Sequence, residues 1–518
     1  MRGRLAARAP IRQHTRVGNA PCDRPRGPCD RVRQWPADPT PRMLDKDTLA
    51  LLRGALASME RELADLPAFS PPRVDADGLA IVLNDVAARL AGDDPFFHPL
   101  YAAQMQQPPH AVARLAYALA LWTNPNNHAP AGGRASVRME REAVARIAGM
   151  VGWDRFAGHL CGGGTIANTE ALWVASRTHP GVIVASEESH YSHARMSGVL
   201  GLPFETIATD RALRIDGEAL AARLARGGVG TVVATIGSTA AGAVDALPPL
   251  LSLRERHGFR LHLDAAYGGY FGLADNLSQA TRATFALLAQ ADSIVIDPHK
   301  HGLQPYGVSC VLFRDPADGR HFRDIRSPCA LGDDDLPAHE TGFECSRPGA
   351  SAVALWATMR LLPPVAHGEF AAMLRAARAA AVALHARLAA DDRFIAPIEP
   401  DLDMVVWTVR AANARDASAL ALDVRGECAK RDLHLSLAEL PSRLFGDAAF
   451  CEDRERTIGL RATLMKADHA AWVDAIYAAV RDATDVAVSR RRRFSSEAHA
   501  GATKTRPSRV ANRGLGAP

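Results

Sequence analysis

The stretch Leu261-His262-Leu263-Asp264-Ala265-Ala266-Tyr267-Gly268-Gly269 decides how the chain is read. A short apolar run ends in a carboxylate, and small residues come directly after it. Apolar runs of this length without in–out alternation read as strands buried on both faces, as in a parallel sheet covered by helices. Ligands of open α/β sheets sit beyond the carboxyl ends of such strands. Asp264 and Ala266 therefore stand where they can face a flat ligand at close range. A capping aspartate is the commoner use of this position, so the motif needs company.

Company lies on both sides. Val182–Ala185, Thr231–Ile236, Ser293–Ile296 and Val308–Phe313 repeat the apolar run between helical or loop segments. Ser189 and His190, Ser238 and Thr239, and His299 and Lys300 come after three of these runs. The pattern predicts an α/β fold with a mostly parallel sheet flanked by helices. In Asp297-Pro298-His299-Lys300-His301-Gly302 the lysine sits just past a strand, in a turn bounded by proline and glycine. Withdrawal from water there disfavours the ammonium and frees a nucleophilic amine, although most strand-end lysines simply reach solvent. Cys161-Gly162-Gly163-Gly164-Thr165 opens a helical run, so Gly163, Gly164 and Thr165 offer N–H groups and a helix N-terminus to one phosphate. Neither the Walker A pattern nor the dinucleotide fingerprint fits it. In Ser189-His190-Tyr191-Ser192 an imidazole can stack on an aromatic ring. Each signal alone is weak. Together they supply an anion cradle, a stacking imidazole, a partner for a pyridinium nitrogen and a Schiff-base lysine, which are the parts that hold pyridoxal 5'-phosphate.

Composition permits such an enzyme. The 518 residues are 47% apolar and 23% charged, ordinary for a globular chain with ample core. No run is long and apolar enough to suggest a membrane span. The net charge of +4 is unevenly placed. Residues 1–42 hold ten Arg against three Asp, and residues 490–518 hold eight basic residues against one Glu, which leaves about −10 for the chain between them. Both ends are expected to be disordered basic extensions, with order starting at Met43. The eight cysteines are scattered without a CxxC pair, which favours a reducing, cytoplasmic setting over disulfides, and His and Cys lack metal-ligand spacing.

Helical spacing marks residues 49–63, and further helices are expected over 100–123 and 134–151. Beyond the sheet the expectations are a helix from Phe370 to Ala390, a strand Met404–Val409, a helix at 417–431, a strand Thr457–Leu464 and a last helix at 467–482. The expected units are an N-terminal helical segment (43–130), a large cofactor-binding domain (131–365) and a smaller C-terminal α+β domain (366–489).

At this level of detail the sequence resembles the pyridoxal-phosphate-dependent group II amino-acid decarboxylases, which share the aspartate aminotransferase fold (fold type I). The likeness runs from about residue 85 to 480. His262–Gly269 and Asp297–Lys300 carry it most specifically, supported by Gly163–Asn168 and by Glu344-Cys345-Ser346-Arg347-Pro348-Gly349-Ala350. The resemblance implies that Lys300 forms the Schiff base, Asp264 pairs with the ring nitrogen and His190 stacks on the ring. It further implies that Gly164, Thr165 and His299 hold the phosphate, Thr239 contacts the cofactor and Arg461 takes the substrate α-carboxylate. The implied reaction is decarboxylation of an aromatic or acidic L-amino acid to its amine by a homodimer. In the family a loop tyrosine usually protonates the carbon that loses CO₂. The matching stretch Arg326-Ser327-Pro328-Cys329-Ala330-Leu331 has cysteine there, leaving Tyr267 or Tyr306 as substitutes or an aldehyde as product. A carbon–carbon lyase resembling sphingosine phosphate lyase ranks second. Nucleic-acid binding through the basic ends ranks third, because it leaves the four-part site unexplained.

Overall fold

The computed structural model describes residues 46–67, 73–128, 130–322 and 342–503. Both expected extensions lie wholly or partly outside them, as does the stretch around Cys329. In chain order the strands among the described residues are β1 (Tyr101–Ala102), β2 (Ala157–Cys161), β3 (Val182–Ser186), β4 (Phe204–Ile207), β5 (Val229–Thr235) and β6 (Arg260–Asp264). They continue with β7 (Ser293–Ile296), β8 (Ser309–Phe313), β9 (Phe394–Ile395), β10 (Met404–Val409), β11 (His434–Pro441) and β12 (Arg456–Thr463).

Seven strands form one sheet in the order β2-β8-β7-β6-β5-β3-β4. The run from β7 to β4 is parallel, and β8 pairs antiparallel with both β7 and β2. Every residue of β2, β6, β7 and β8 is buried, as expected of strands covered on both faces. The main core joins Leu261, Leu263, Ile294 and Ile296 of this sheet to Val144 and Ile147 of the helix Pro130–Val151 and to Leu355 and Met359 of the helix Gly349–Leu361. The parallel strands β5, β6 and β7 end together, so the turns at their carboxyl ends line one rim of the sheet.

The second sheet runs β1-β11-β12-β10-β9. Its partner helices Glu369–Ala389 and Ala414–Ala429 lie close to the expected spans. Two expectations need correction. Residues 101–102 are a strand paired with β11, and the helix begins only at Ala111. The last helix runs from His469 to Thr503, past residue 482 and into the basic tail. Its first turns are held by Val473, Ile476 and Val480, all buried. A helix Ala76–Leu90, capped by Asp75, was not anticipated; none of its residues is buried.

Arg347, in the stretch that supported the resemblance, has a structural place. Its guanidinium is buried and meets Glu140 Oε1 at 2.6 Å and the Asn127 carbonyl at 3.0 Å, and it also donates to the Leu160 carbonyl. It thereby ties residues 342–348 to β2 and to the helix Pro130–Val151, and the buried charges of Arg347 and Glu140 compensate one another.

Candidate active site

The turn after β7 brings the lysine into a compact cluster. Lys300 Nζ lies 3.0 Å from Asp297 Oδ2, and its side chain is 18% exposed. The Asp297 carboxylate is buried, with Oδ1 accepting from Ser309 Oγ at 2.5 Å. The sequence suggested an amine withdrawn from water; the structure adds a buried carboxylate partner for it. His299 belongs to the same turn, its Nε2 3.5 Å from Asp297 and its Nδ1 2.6 Å from the Val308 carbonyl. Burial pulls the His299 imidazole below its ordinary value, against the opposing pull of Asp297.

The helix Gly164–Thr178 starts beside this cluster. Gly163 adopts φ 127°, which L side chains rarely take, and it supplies no side-chain cap. The first amides of the helix, around Gly164 and Thr165, therefore lack the cap that Asp216 gives the helix Gly217–Leu224. Gly162 is not part of this anion end, because its N–H donates to Glu344 Oε2 at 2.5 Å.

Asp264 closes β6 and is buried. Its Oδ2 lies 2.8 Å from His193 Nε2, and its Oδ1 accepts from the Ala266 N–H at 3.2 Å. Burial alone would raise this carboxyl, but the His193 hydrogen bond, followed by the charges of His193, Lys300 and His262, holds it below the usual carboxylate range. His190, half-buried, accepts or donates through Nδ1 to Ser192 Oγ at 2.7 Å. Burial pushes its imidazole down, opposed first by Asp264.

On the second sheet, Arg461 of β12 is buried. Its Nη1 donates to the Thr239 carbonyl at 2.6 Å and its Nη2 to the Ala103 carbonyl at 3.2 Å, while Nε has no hydrogen-bond partner. No carboxylate among the described residues pairs with it. Lys466 is a second buried cation nearby in sequence, donating to the Tyr101 carbonyl at 2.7 Å. The segment just after Tyr101 and Ala103 also reaches the lysine turn, because Gln107 Nε2 donates to the Lys300 carbonyl at 2.8 Å.

The two tyrosines weighed as proton donors differ. Tyr267 is buried and its hydroxyl donates to Asp403 Oδ1 at 2.5 Å; Asp403 Oδ2 meets His301 Nε2 at 2.8 Å. Tyr306 is exposed, its ring lies 4.7 Å from that of His299 and its hydroxyl donates to the Met105 carbonyl at 2.8 Å. Burial of part of the side chain, followed by Asp297, pushes the Tyr306 hydroxyl up to about 12.

Lys300, Asp264, His190, Gly163, Gly164, Thr165, Ala266 and His299 thus stand along one rim of the large sheet, and Thr239 is joined to Arg461 through its carbonyl. Asp297 was quoted in the sequence but given no role. His193, Asp403 and Lys466 were missed, since each matters through a partner far away in the chain. Pyridoxal phosphate fits these residues. An uncapped helix start suits its phosphate, a buried carboxylate kept ionised suits a protonated ring nitrogen, and a lysine amine lies beside the helix start. Among the described residues no cluster of His, Cys, Asp or Glu could hold a metal ion.

Comparison with known proteins agrees. Residues 177–410 match the pyridoxal-dependent decarboxylase conserved domain. The chain is 30% identical over 235 residues to the L-aspartate decarboxylase of Thermococcus kodakarensis, covering 44% of this chain and 59% of that protein, less than two thirds of its length. It is 32% identical over 321 residues to the probable L-aspartate decarboxylase of Halobacterium salinarum, covering 61% of this chain and 84% of that one. In fold it is similar to Oryza sativa TDC, solved with PLP and tryptamine, at a TM-score of 0.67 and 17% identity over 86% of this chain and 99% of that one.

Proposed function

Because the chain belongs to the family of pyridoxal-dependent decarboxylases, a fold type I family, we propose that it removes the α-carboxyl group of an acidic L-amino acid as CO₂ and releases the amine. The observation that carries the reading of an amino-acid substrate is Arg461, a buried guanidinium with a free Nε and no carboxylate partner among the described residues. A desolvated, fork-shaped cation without a counter-ion favours a carboxylate ligand. The names of the relatives point to aspartate.

Pyridoxal phosphate, when bound, supplies the sink for the electron pair that CO₂ leaves behind. The chain's own residues do the rest. Gly163, Gly164 and Thr165, with His299, bind the phosphate. His190 would cover the ring, Asp264 would keep its nitrogen protonated, and Ala266 and Thr239 would help to hold it. Lys300 is the attachment point, and its amine, once freed, holds a proton near the substrate. Tyr306 stays protonated at neutral pH and stands exposed beside His299, so it takes over the proton delivery that the resemblance assigns to a loop tyrosine.

A homodimer in the cytoplasm completes the reading. The helix Ala76–Leu90 leaves Leu79, Ile81, Val82, Leu83, Val86 and Leu90 exposed, an apolar surface suited to a second copy. Cys161, Cys310, Cys345, Cys428 and Cys451 are free thiols, and no helix among the described residues is long and apolar enough to cross a membrane. Incubating the holoenzyme with each amino acid, while measuring CO₂ and the product mass, tests the activity. Aspartate is expected to give CO₂ and an amine. CO₂ from tyrosine alone would overturn the choice of substrate. An aldehyde with matching oxygen uptake would overturn the amine product, and cleavage without CO₂ would overturn the reaction.

A further inference from the structure

His193 stands in the first turn of the helix Ser192–Leu200, and its backbone N–H donates to the His190 carbonyl at 3.0 Å. One turn of chain therefore places one imidazole on the open side of the site and a second behind the Asp264 carboxylate. His193 and Asp264 are both buried, with Nε2 and Oδ2 2.8 Å apart. A carboxylate only accepts, so Nε2 carries the proton in this bond. Nδ1 of His193 is buried without a hydrogen-bond partner. The network therefore ends at His193, which is committed to Asp264 alone. The neighbouring His262 ring, 6.4 Å away between centroids, is itself engaged with Ser293 Oγ and Asn168 Oδ1.

We propose that His193 is a positioning residue, whose Nε2–H bond pins Asp264 in one orientation and keeps it a carboxylate for the ring nitrogen of the cofactor. The proposal rests on the decarboxylase reading above and adds to it a residue of this chain with no assigned role. A carboxyl with a single backbone donor would be free to turn about its last torsion. Buried and without the His193 donor, it would also be held less firmly as a carboxylate and would compensate a pyridinium less well. The two bonds to Asp264, from His193 and from the Ala266 N–H, leave it acceptor capacity for a third donor.

The test compares binding of pyridoxal phosphate with binding of its analogue bearing carbon in place of the ring nitrogen, monitored by absorbance titration of the whole protein. The wild type is expected to prefer the natural cofactor. His193→Phe keeps an aromatic ring but removes the donor, and should reduce that preference about tenfold. His193→Gln, whose amide N–H can reach the place of Nε2–H, should restore most of it. His193→Asn carries its amide short of Asp264 and should lose the preference as well, which keeps the test open where the phenylalanine variant does not fold. A wild-type preference in the Phe or Asn variant, or equal loss in the Gln variant, would overturn the role of His193. A wild type that binds neither compound would instead overturn the decarboxylase reading itself.

Discussion

Lys300 Nζ stands 3.0 Å from Asp297 Oδ2, and a methyl group added at Gly164 would come 2.7 Å from that same oxygen. The start of the helix Gly164–Thr178 and the Lys300 amine are thus spaced by one buried carboxylate. Gly164→Ala should push Asp297 aside, at a cost of about 1–3 kcal/mol typical of overpacking. Pyridoxal phosphate is expected to bind at least about tenfold more weakly, as read by absorbance titration. Unchanged affinity would show that the carboxylate has room to move.

Lys300→Ala removes the ion partner of the buried Asp297, which keeps its hydrogen bond from Ser309, and the variant is expected to fold with reduced stability. The variant should show no visible band of attached cofactor, no adduct trapped by borohydride and no steady CO₂ release. Mass spectrometry of borohydride-treated wild type should place the adduct on Lys300; an adduct on another lysine would move the site.

Arg461 donates to two backbone carbonyls and has Nε to spare. Arg461→Met should raise KM for the acidic substrate about 10–100-fold, the loss of a charge-assisted hydrogen bond, with a smaller change in kcat. Arg461→Lys should not restore it, since a point charge cannot reproduce the fork. Steady-state kinetics on both variants separate these outcomes.

Lys466 is pushed down to about 7 by burial, with only Asp468 opposing. Its value in the unfolded chain is about 10.4. A group depressed on folding contributes stability that is present above the unfolded value and lost as pH falls through the folded one. The thermal midpoint of the wild type, taken relative to Lys466→Met, should therefore rise from pH 7 towards pH 10. A difference that stays flat across this range would place the Lys466 amine in contact with water.

The accuracy of the sequence reading tracked burial. Ser293–Ile296 and Met404–Val409 were legible as strands because all their side chains are buried, so the whole run is apolar. β4 was not legible, since it lies at the sheet edge with Glu205 and Thr206 exposed. β1 has two residues, and its partner β11 is more than three hundred residues away. The helix Ala76–Leu90 buries nothing in the single chain, so its apolar residues trace no stripe directed at a core.

Chemistry and order were set by the sequence alone: an amine, a carboxylate, an imidazole and a glycine turn, each just after or just before a buried run, can be read in one dimension because local motifs carry them. Pairing was decided only by tertiary structure. Asp297 became the partner of Lys300, His193 came to lie behind Asp264 across 71 residues of separation, and Tyr267 was committed to Asp403 across 136. Such partners are chosen by where the strands end and which helices cover them. A buried charge must find its counterpart in space, and nothing in the spacing along the chain records which one it finds.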